Sequence, residues 1–240
     1  MRIYSNSFIH YTKSIDAIKG IIEHGFYVHF CKEEIYSESG KTSYIGIPMT
    51  CFCDIPLSHI GESKYGEIGI GMNRMWGVQH YLQPVLYYPN NKNCESTKMV
   101  MKAEKAFKTD KKDYEAYKIL GYAKPMFKLN KANKEVSNYN NSNYIDREYR
   151  RLYQSKGQHK WQTVKEYNNN TQKKHIGSPL KFSVKDIDFI IIKREHFMEI
   201  FEFIQGLNMI GGKEKEPITQ EKRILLISKI MIYETLIGNI

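Results

Sequence analysis

Long apolar runs are missing from this sequence. No stretch approaches the ~18 uninterrupted apolar residues from which a transmembrane helix is read, so membrane insertion through such a helix is not expected. The opening Met1-Arg2-Ile3-Tyr4-Ser5-Asn6 lacks the apolar core of a secretory signal, and a cytoplasmic protein is expected. Cysteine is scarce, with four residues at 31, 51, 53 and 94, and their spacing is not that of a disulfide framework. Cys51-Phe52-Cys53 with His59 behind it has metal-ligand chemistry. However, Cys-x-Cys on a strand lacks the turn that a CxxC knuckle supplies, so buried structural thiols are expected and no metal. Short catalytic signatures are absent as well. Gly66-x-x-Gly69-x-Gly71 sits inside a strand pattern, not at a strand-to-helix turn, and there is no Walker loop, H-E-x-x-H or G-x-S-x-G. A clustered Asp/Glu/Lys metal site is missing too, which argues against a nuclease.

What is present is an ordinary globular composition, 41% hydrophobic and 26% charged over 240 residues. That length predicts one domain spanning 1–240. Lys and Arg number 36 against 26 Asp and Glu, a formal net charge of +10. An excess of this sign attracts polyanions over long range, so nucleic acid and nucleotide phosphates are candidate partners, beside the plain reading of a solvated lysine-rich surface.

The patterning alternates between strand and helix periods. Ile3–Tyr11 reads as a strand; Ser14 is placed to cap a helix, Asp16 suits its first turn, Ile15, Ile18, Ile21 and Ile22 form one face, and Gly25 ends it. Residues 44–56 are extended, 65–72 form a glycine-rich strand, Asn73 caps a short helix through Trp76 to Leu82, and 84–88 is another strand. Residues 92–120 are helical and basic, with Lys98, Lys102, Lys105 and Lys112 near helical spacing. Residues 130–143 are an asparagine-rich loop, 144–153 alternate, and a further loop begins at Asn168. Ile187–Ile192 reads as a strand buried on both faces, followed by a helix from about Glu195 to Gly206. Gly211-Gly212 and Pro217 mark a turn before an apolar strand or helix over 223–237. These elements predict an α+β fold with a split mixed β-sheet and flanking helices.

Several blocks carry a family resemblance. Phe8-Ile9-His10-Tyr11-Thr12, then Cys51-Phe52-Cys53-Asp54-Ile55-Pro56-Leu57-Ser58, Tyr65-Gly66-x-x-Gly69-Ile70-Gly71, Pro84-Val85-Leu86-Tyr87-Tyr88, Lys124-Pro125 and Asp146-Arg147-Glu148-Tyr149-Arg150 follow one another in order. In that order and spacing the chain resembles the AbiGi family of abortive phage-resistance proteins, over most of its length up to about residue 200. The resemblance implies a component of a toxin–antitoxin defence system with a partner protein, and the family is sometimes described as the antitoxin.

The same arrangement is similar, more remotely, to ADP-ribosyltransferases of the H-Y-E and DarT kind. That similarity implies an ADP-ribosyltransferase-like fold, NAD as substrate, and a nucleic acid or protein as acceptor. His10, Tyr11 and Thr12 would then hold the nicotinamide ribose. Phe52, Tyr65 or Tyr44 would frame the ring, and Glu148 would be the catalytic carboxylate with His10. Chemically, a carboxylate stabilises the developing oxocarbenium cation and takes the acceptor's proton, an imidazole bonds ribose hydroxyls, and an aromatic stacks. Arg147, Arg150 and Arg151 would meet the pyrophosphate or the acceptor. Each residue also has a structural reading: a satisfied turn histidine for His10, a cross-strand ion pair for Glu148, a turn-forming carboxylate for Asp54, and packing for Trp76 and Trp161. The alternative function is a non-catalytic nucleic-acid-binding or antitoxin module.

Overall fold

A computed structural model of the chain describes residues 5–37, 42–62, 65–127, 142–153, 163, 167, 176–213 and 218–238. In chain order the elements are β1 (Ser7–Thr12), α1 (Ile15–His24), β2 (Phe26–Tyr36), β3 (Thr42–Cys53), β4 (Ile68–Asn73) and α2 (Arg74–Gln79). There follow β5 (Gln83–Pro84), β6 (Leu86–Tyr88), α3 (Glu95–Thr109), α4 (Tyr114–Tyr122), β7 (Ala123–Pro125) and β8 (Glu148–Leu152). The last are β9 (Ile176–Leu180), β10 (Ile187–Ile192), α5 (Phe197–Gly206), α6 (Gln220–Ile227), β11 (Ile230–Ile232) and α7 (Tyr233–Gly238). This is a mixed α+β architecture with parallel and antiparallel strand pairs and several helices. The chain forms two compact units, Met1–Tyr27 with Cys51–Leu82 and Ser178–Ile240, and Val28–Thr50 with Gln83–Gly177.

In the first unit, β1 runs antiparallel to β4 from Ser7↔Asn73 to Thr12↔Ile68, and β4 runs antiparallel to β10. β11 lies parallel to β10, and Ile9↔Cys53 joins β1 to the end of β3. Ile187–Ile192 is buried at every position but Asp188, as a strand covered on both faces requires. α1 buries Ile15, Ile18 and Ile22; Ser14 takes the extended N-cap conformation without a side-chain bond, and Gly25 closes the helix through its N–H to Ile21 O. Asn73 caps α2 by accepting the Trp76 N–H at 2.8 Å. The glycines of β4 serve packing: a Cβ on Gly71 would lie 2.4 Å from the Phe189 ring, so glycine is what lets that ring approach the strand backbone. Beneath it, Ile9, Ile60, Phe189, Ile191 and Tyr233 form one apolar cluster.

In the second unit, β2 and β3 pair antiparallel from His29↔Met49 to Tyr36↔Thr42. β8 lies beside β3 and the two-residue β5, and β6 runs parallel to β7. The basic segment expected as one helix over 92–120 is two. Asp110–Asp113 interrupts it, and Asp113 caps α4 by accepting the Ala116 N–H at 2.9 Å. Lys98, Lys102 and Lys105 are exposed on α3, whereas Lys112 falls beyond its end. The alternating stretch at 144–153 yields a strand only from Glu148, after a 3₁₀ turn and a left-handed Arg147 at φ 41°. The apolar stretch expected at 223–237 is helix, short strand and helix in succession. Residues 130–141, Trp161, the loop from Asn168 to 175 and Pro217 lie outside the described residues.

Candidate functional site

The first unit builds its chemistry around His10. Strand alternation sends Phe8 and His10 to one face of β1 and Ile9 and Tyr11 to the other. His10 Nδ1 bonds the Cys51 carbonyl oxygen at 2.8 Å. With Nδ1–H donating to that carbonyl, the neutral ring carries its acceptor at Nε2. The ring lies 5.3 Å from Phe26 and 5.5 Å from Phe52, centroid to centroid. Phe26, Phe52, Trp76 and Phe182 continue as a buried aromatic cluster. Trp76 is a packing residue whose indole N–H donates to Lys181 O at 3.0 Å.

Of the residues expected to hold a ribose and ring, this unit brings His10 and Phe52 together. Phe52 is buried. Tyr11 packs on the opposite face against the Ile9 cluster. Thr12 and Tyr65 are near neighbours, because Gly66, at φ 136°, comes so close to the Thr12 carbonyl that a Cβ would sit 2.7 Å from its oxygen. Only glycine fits there. Tyr44 belongs to the second unit.

Below the same strand, Asp54 is buried and accepts from Ser5 N at 3.0 Å and from the Arg74 guanidinium at 2.5 Å. Arg74 also donates to Ser5 O and stacks over Phe8. The turn carboxylate expected at Asp54 is thus also half of an ion pair. All four cysteines are free thiols; the burial expected of them holds for Cys53 alone, while Cys31 on β2, Cys51 on β3 and Cys94 at the N-cap of α3 are half-buried.

The second unit holds Glu148. On β8 the residues that point inward are Glu148, Arg150 and Leu152, so an alternation that reads as a polar strand face is an interior one. Glu148 is 4% exposed and Arg150 fully buried. Arg150 Nε donates to Glu148 Oε1 at 2.6 Å, its other nitrogens donate to Glu33 Oε2 at 2.6 Å and to Gly121 O at 2.7 Å, and Lys124 Nζ donates to Glu148 Oε2 at 2.5 Å. The Glu148 N–H donates to the Tyr87 phenol oxygen at 2.8 Å. Two carboxylates and two cations thus close a neutral set. Burial alone raises the Glu148 carboxyl, but the adjacent Arg150 and Lys124 charges, reinforced by their hydrogen bonds, outweigh it and hold the group well below the usual carboxylate range. Burial lowers Lys124 and the Glu148 charge more than restores it, so the ammonium is held above its ordinary value. Both oxygens of Glu148 are engaged.

The ion pair expected for Glu148 is therefore present, but within one strand and to β7, and not across to a neighbouring strand. Arg150, expected to face a pyrophosphate, instead spends its donors inside the protein, on Glu33, Glu148 and the Gly121 carbonyl. Glu33 and Gly121 were not legible as part of this set. Lys124 was legible only through the Lys124-Pro125 block. His10 and Glu148 belong to different units, each engaged by partners of its own. Among the described residues no group of three or more His, Cys, Asp or Glu is arranged to hold a metal, and no helix is long and apolar enough to cross a membrane.

Fold and site together define a mixed α+β protein with an aromatic-flanked histidine in one unit and a closed set of buried charges in the other. The chain belongs to the AbiGi family of abortive phage resistance proteins: residues 24–193 match the family described as "Putative abortive phage resistance protein AbiGi, antitoxin". It is 25% identical, over 226 residues, to the abortive phage resistance protein AbiGi of Lactococcus lactis subsp. cremoris, covering 78% of this chain and 86% of that protein. No solved structure matches it.

Proposed function

We propose that this chain is the antitoxin of an abortive-infection pair, a binding protein that restrains a partner toxin of the same defence system. The observation that carries this reading is the match over residues 24–193 to a family described as an antitoxin. The geometry of Glu148 supports it: a carboxylate with both oxygens bonded and almost no exposed surface suits the interior of a binding module. The test is to mix the purified chain with the toxin of its own system. A stoichiometric complex that silences the toxin supports the reading, and two species that neither associate nor affect one another count against it.

A second reading is favoured by His10, which is half-buried at a strand end and oriented by the Cys51 carbonyl. In it the chain is an NAD-dependent mono-ADP-ribosyltransferase-like enzyme acting on nucleic acid or protein. His10, Tyr11 and Thr12, with Phe52 or Tyr65, would hold NAD, and Glu148 would serve as the carboxylate. In the present geometry Glu148 offers no oxygen to a bound ribose, so this reading requires the Lys124 or Arg150 pair to open. Incubation with labelled NAD and candidate acceptors separates the two: transfer of label favours the enzyme, and its absence beside toxin neutralisation favours the antitoxin.

A further inference from the structure

The second unit contains a cavity of about 190 Å³, lined by residues of β2, β3, α3 and α4, by Lys111 between the two helices and by Thr163. Its floor is apolar, formed by the buried Ile35, Ile45, Phe107 and Leu120. At its edge stands Tyr44, 43% exposed, with Lys32 Nζ 4.4 Å from the ring centroid. Lys108 and Lys111 supply positive charge on the helical side, Lys111 Nζ lying 4.8 Å from the Phe107 ring centroid.

One polar group in this cavity stands out. Glu104 is 5% exposed, although it lines the cavity. Ser43 Oγ donates to its Oε1 at 2.6 Å, and Lys108 Nζ lies 2.7 Å from the same Oε1. Its second oxygen makes no hydrogen bond or ion pair among the described residues. That oxygen is not among the buried polar atoms without a partner, so it is the part of Glu104 that opens into the cavity, where a ligand N–H can donate to it.

Three features constrain the ligand. The apolar floor and the exposed Tyr44 ring take a flat aromatic body. The open Glu104 oxygen selects a donor on that body's edge, and excludes a simple anion, which it repels. The lysines take a negative group at the mouth. The volume is below the roughly 300–1,000 Å³ of pockets that enclose a whole drug-sized ligand, so it takes one ring system and leaves the rest outside. We propose that this cavity binds a single nucleotide unit, its amine-bearing base seated on Phe107 and Tyr44 with the amine donating to Glu104, and its phosphate at Lys111 and Lys108. The inference rests on neither reading of the function given above.

The test is calorimetric titration of the full chain with AMP, CMP, GMP and UMP, and separately with a short single-stranded oligonucleotide. The three amine-bearing mononucleotides should bind, with UMP about tenfold weaker, because its one edge donor, N3–H, is recessed between two carbonyl oxygens that the carboxylate repels. Binding of mononucleotides identifies free nucleotide as the source. Binding of the oligonucleotide alone, with the same dependence on base, identifies the same unit within a strand. Glu104→Gln should remove the preference over UMP, and Lys111→Ala should weaken all four alike and flatten the salt dependence. If Glu104→Gln does not fold, Tyr44→Ala decides at an exposed position, and should weaken every base about fivefold or more through lost stacking. No binding of either ligand class at millimolar concentration, equal binding of UMP, or affinity unmoved by Tyr44→Ala and Lys111→Ala would overturn the proposal.

Discussion

Replacing Glu148 by glutamine keeps the shape of the side chain and removes its charge from the interior. In the native set, Glu33 and Glu148 balance Arg150 and Lys124. After the change, two cations share one carboxylate, and one buried positive charge is left uncompensated. Breaking a buried pair from one side costs about 3–5 kcal/mol, against about 0–1 for an exposed pair. The 4% exposure of Glu148 and the full burial of Arg150 select the larger figure. Denaturant unfolding at neutral pH is the assay, with the midpoint shifting and the slope unchanged. The double variant Glu148→Gln, Lys124→Met restores neutrality and should recover much of the loss, a coupling that independent sites do not show. The dependence on pH follows from the sign of each shift. Glu148 is depressed in the folded state, so its contribution is fully present above the unfolded value near 4.5 and is lost as pH falls toward the folded value. Lys124 is raised, so its contribution is present below its ordinary 10.5 and lost only at strongly alkaline pH. The stability difference between wild type and Glu148→Gln should therefore be flat across neutral pH and shrink below about pH 4. A loss of 1 kcal/mol or less at pH 7, or a difference indifferent to acid, would refute this account of the network.

Three further outcomes are expected. Gly71→Ala places a methyl 2.4 Å from the Phe189 ring and should cost about 1–3 kcal/mol, with Phe189→Leu in the same chain returning part of it; thermal unfolding of the single and double variants reads this. Arg74→Met leaves the buried Asp54 with the Ser5 N–H alone and should cost about 1–3 kcal/mol, the range for a charged hydrogen bond, by the same measurement. If Lys98, Lys102 and Lys105 carry a polyanion on the exposed face of α3, affinity for DNA or RNA should fall steeply with salt. Their joint change to glutamine should then lower the log–log slope by about 2–3; salt-independent or undetectable binding leaves a solvated surface.

Local signals in the chain located the elements that stand on local physics. The isoleucine spacing and Gly25 mark α1, Asn73 marks α2, and the run Ile187–Ile192 marks the strand β10, buried on both faces. The break between α3 and α4 carried a signal too, since Asp113 ahead of an apolar run is a cap. β2 carried almost none. Lys32-Glu33-Glu34 interrupts its alternation; the ladder to β3, with Glu33 opposite Ile45, makes those residues a strand, and Arg150, 117 positions away, satisfies the carboxylate that Glu33 turns inward. For the same reason Glu-x-Arg-x-Leu on β8 looks like a solvated face, when the charges satisfy each other inside. His10 and Phe52 were legible as candidates through their motifs, and their ring contact depends on β1 lying beside the end of β3. The opposite facing of Tyr11 followed from strand alternation alone.

The central claim, that this chain restrains a partner toxin, is tested most directly by growth of a host in which the toxin of its own system is induced with and without this chain. The account predicts that the toxin alone arrests growth, and that wild type and His10→Ala both restore it, because restraint by binding does not use the imidazole as a ribose ligand. Failure of the wild-type chain to relieve the arrest, or growth arrest by this chain expressed alone and abolished by His10→Ala, would contradict it.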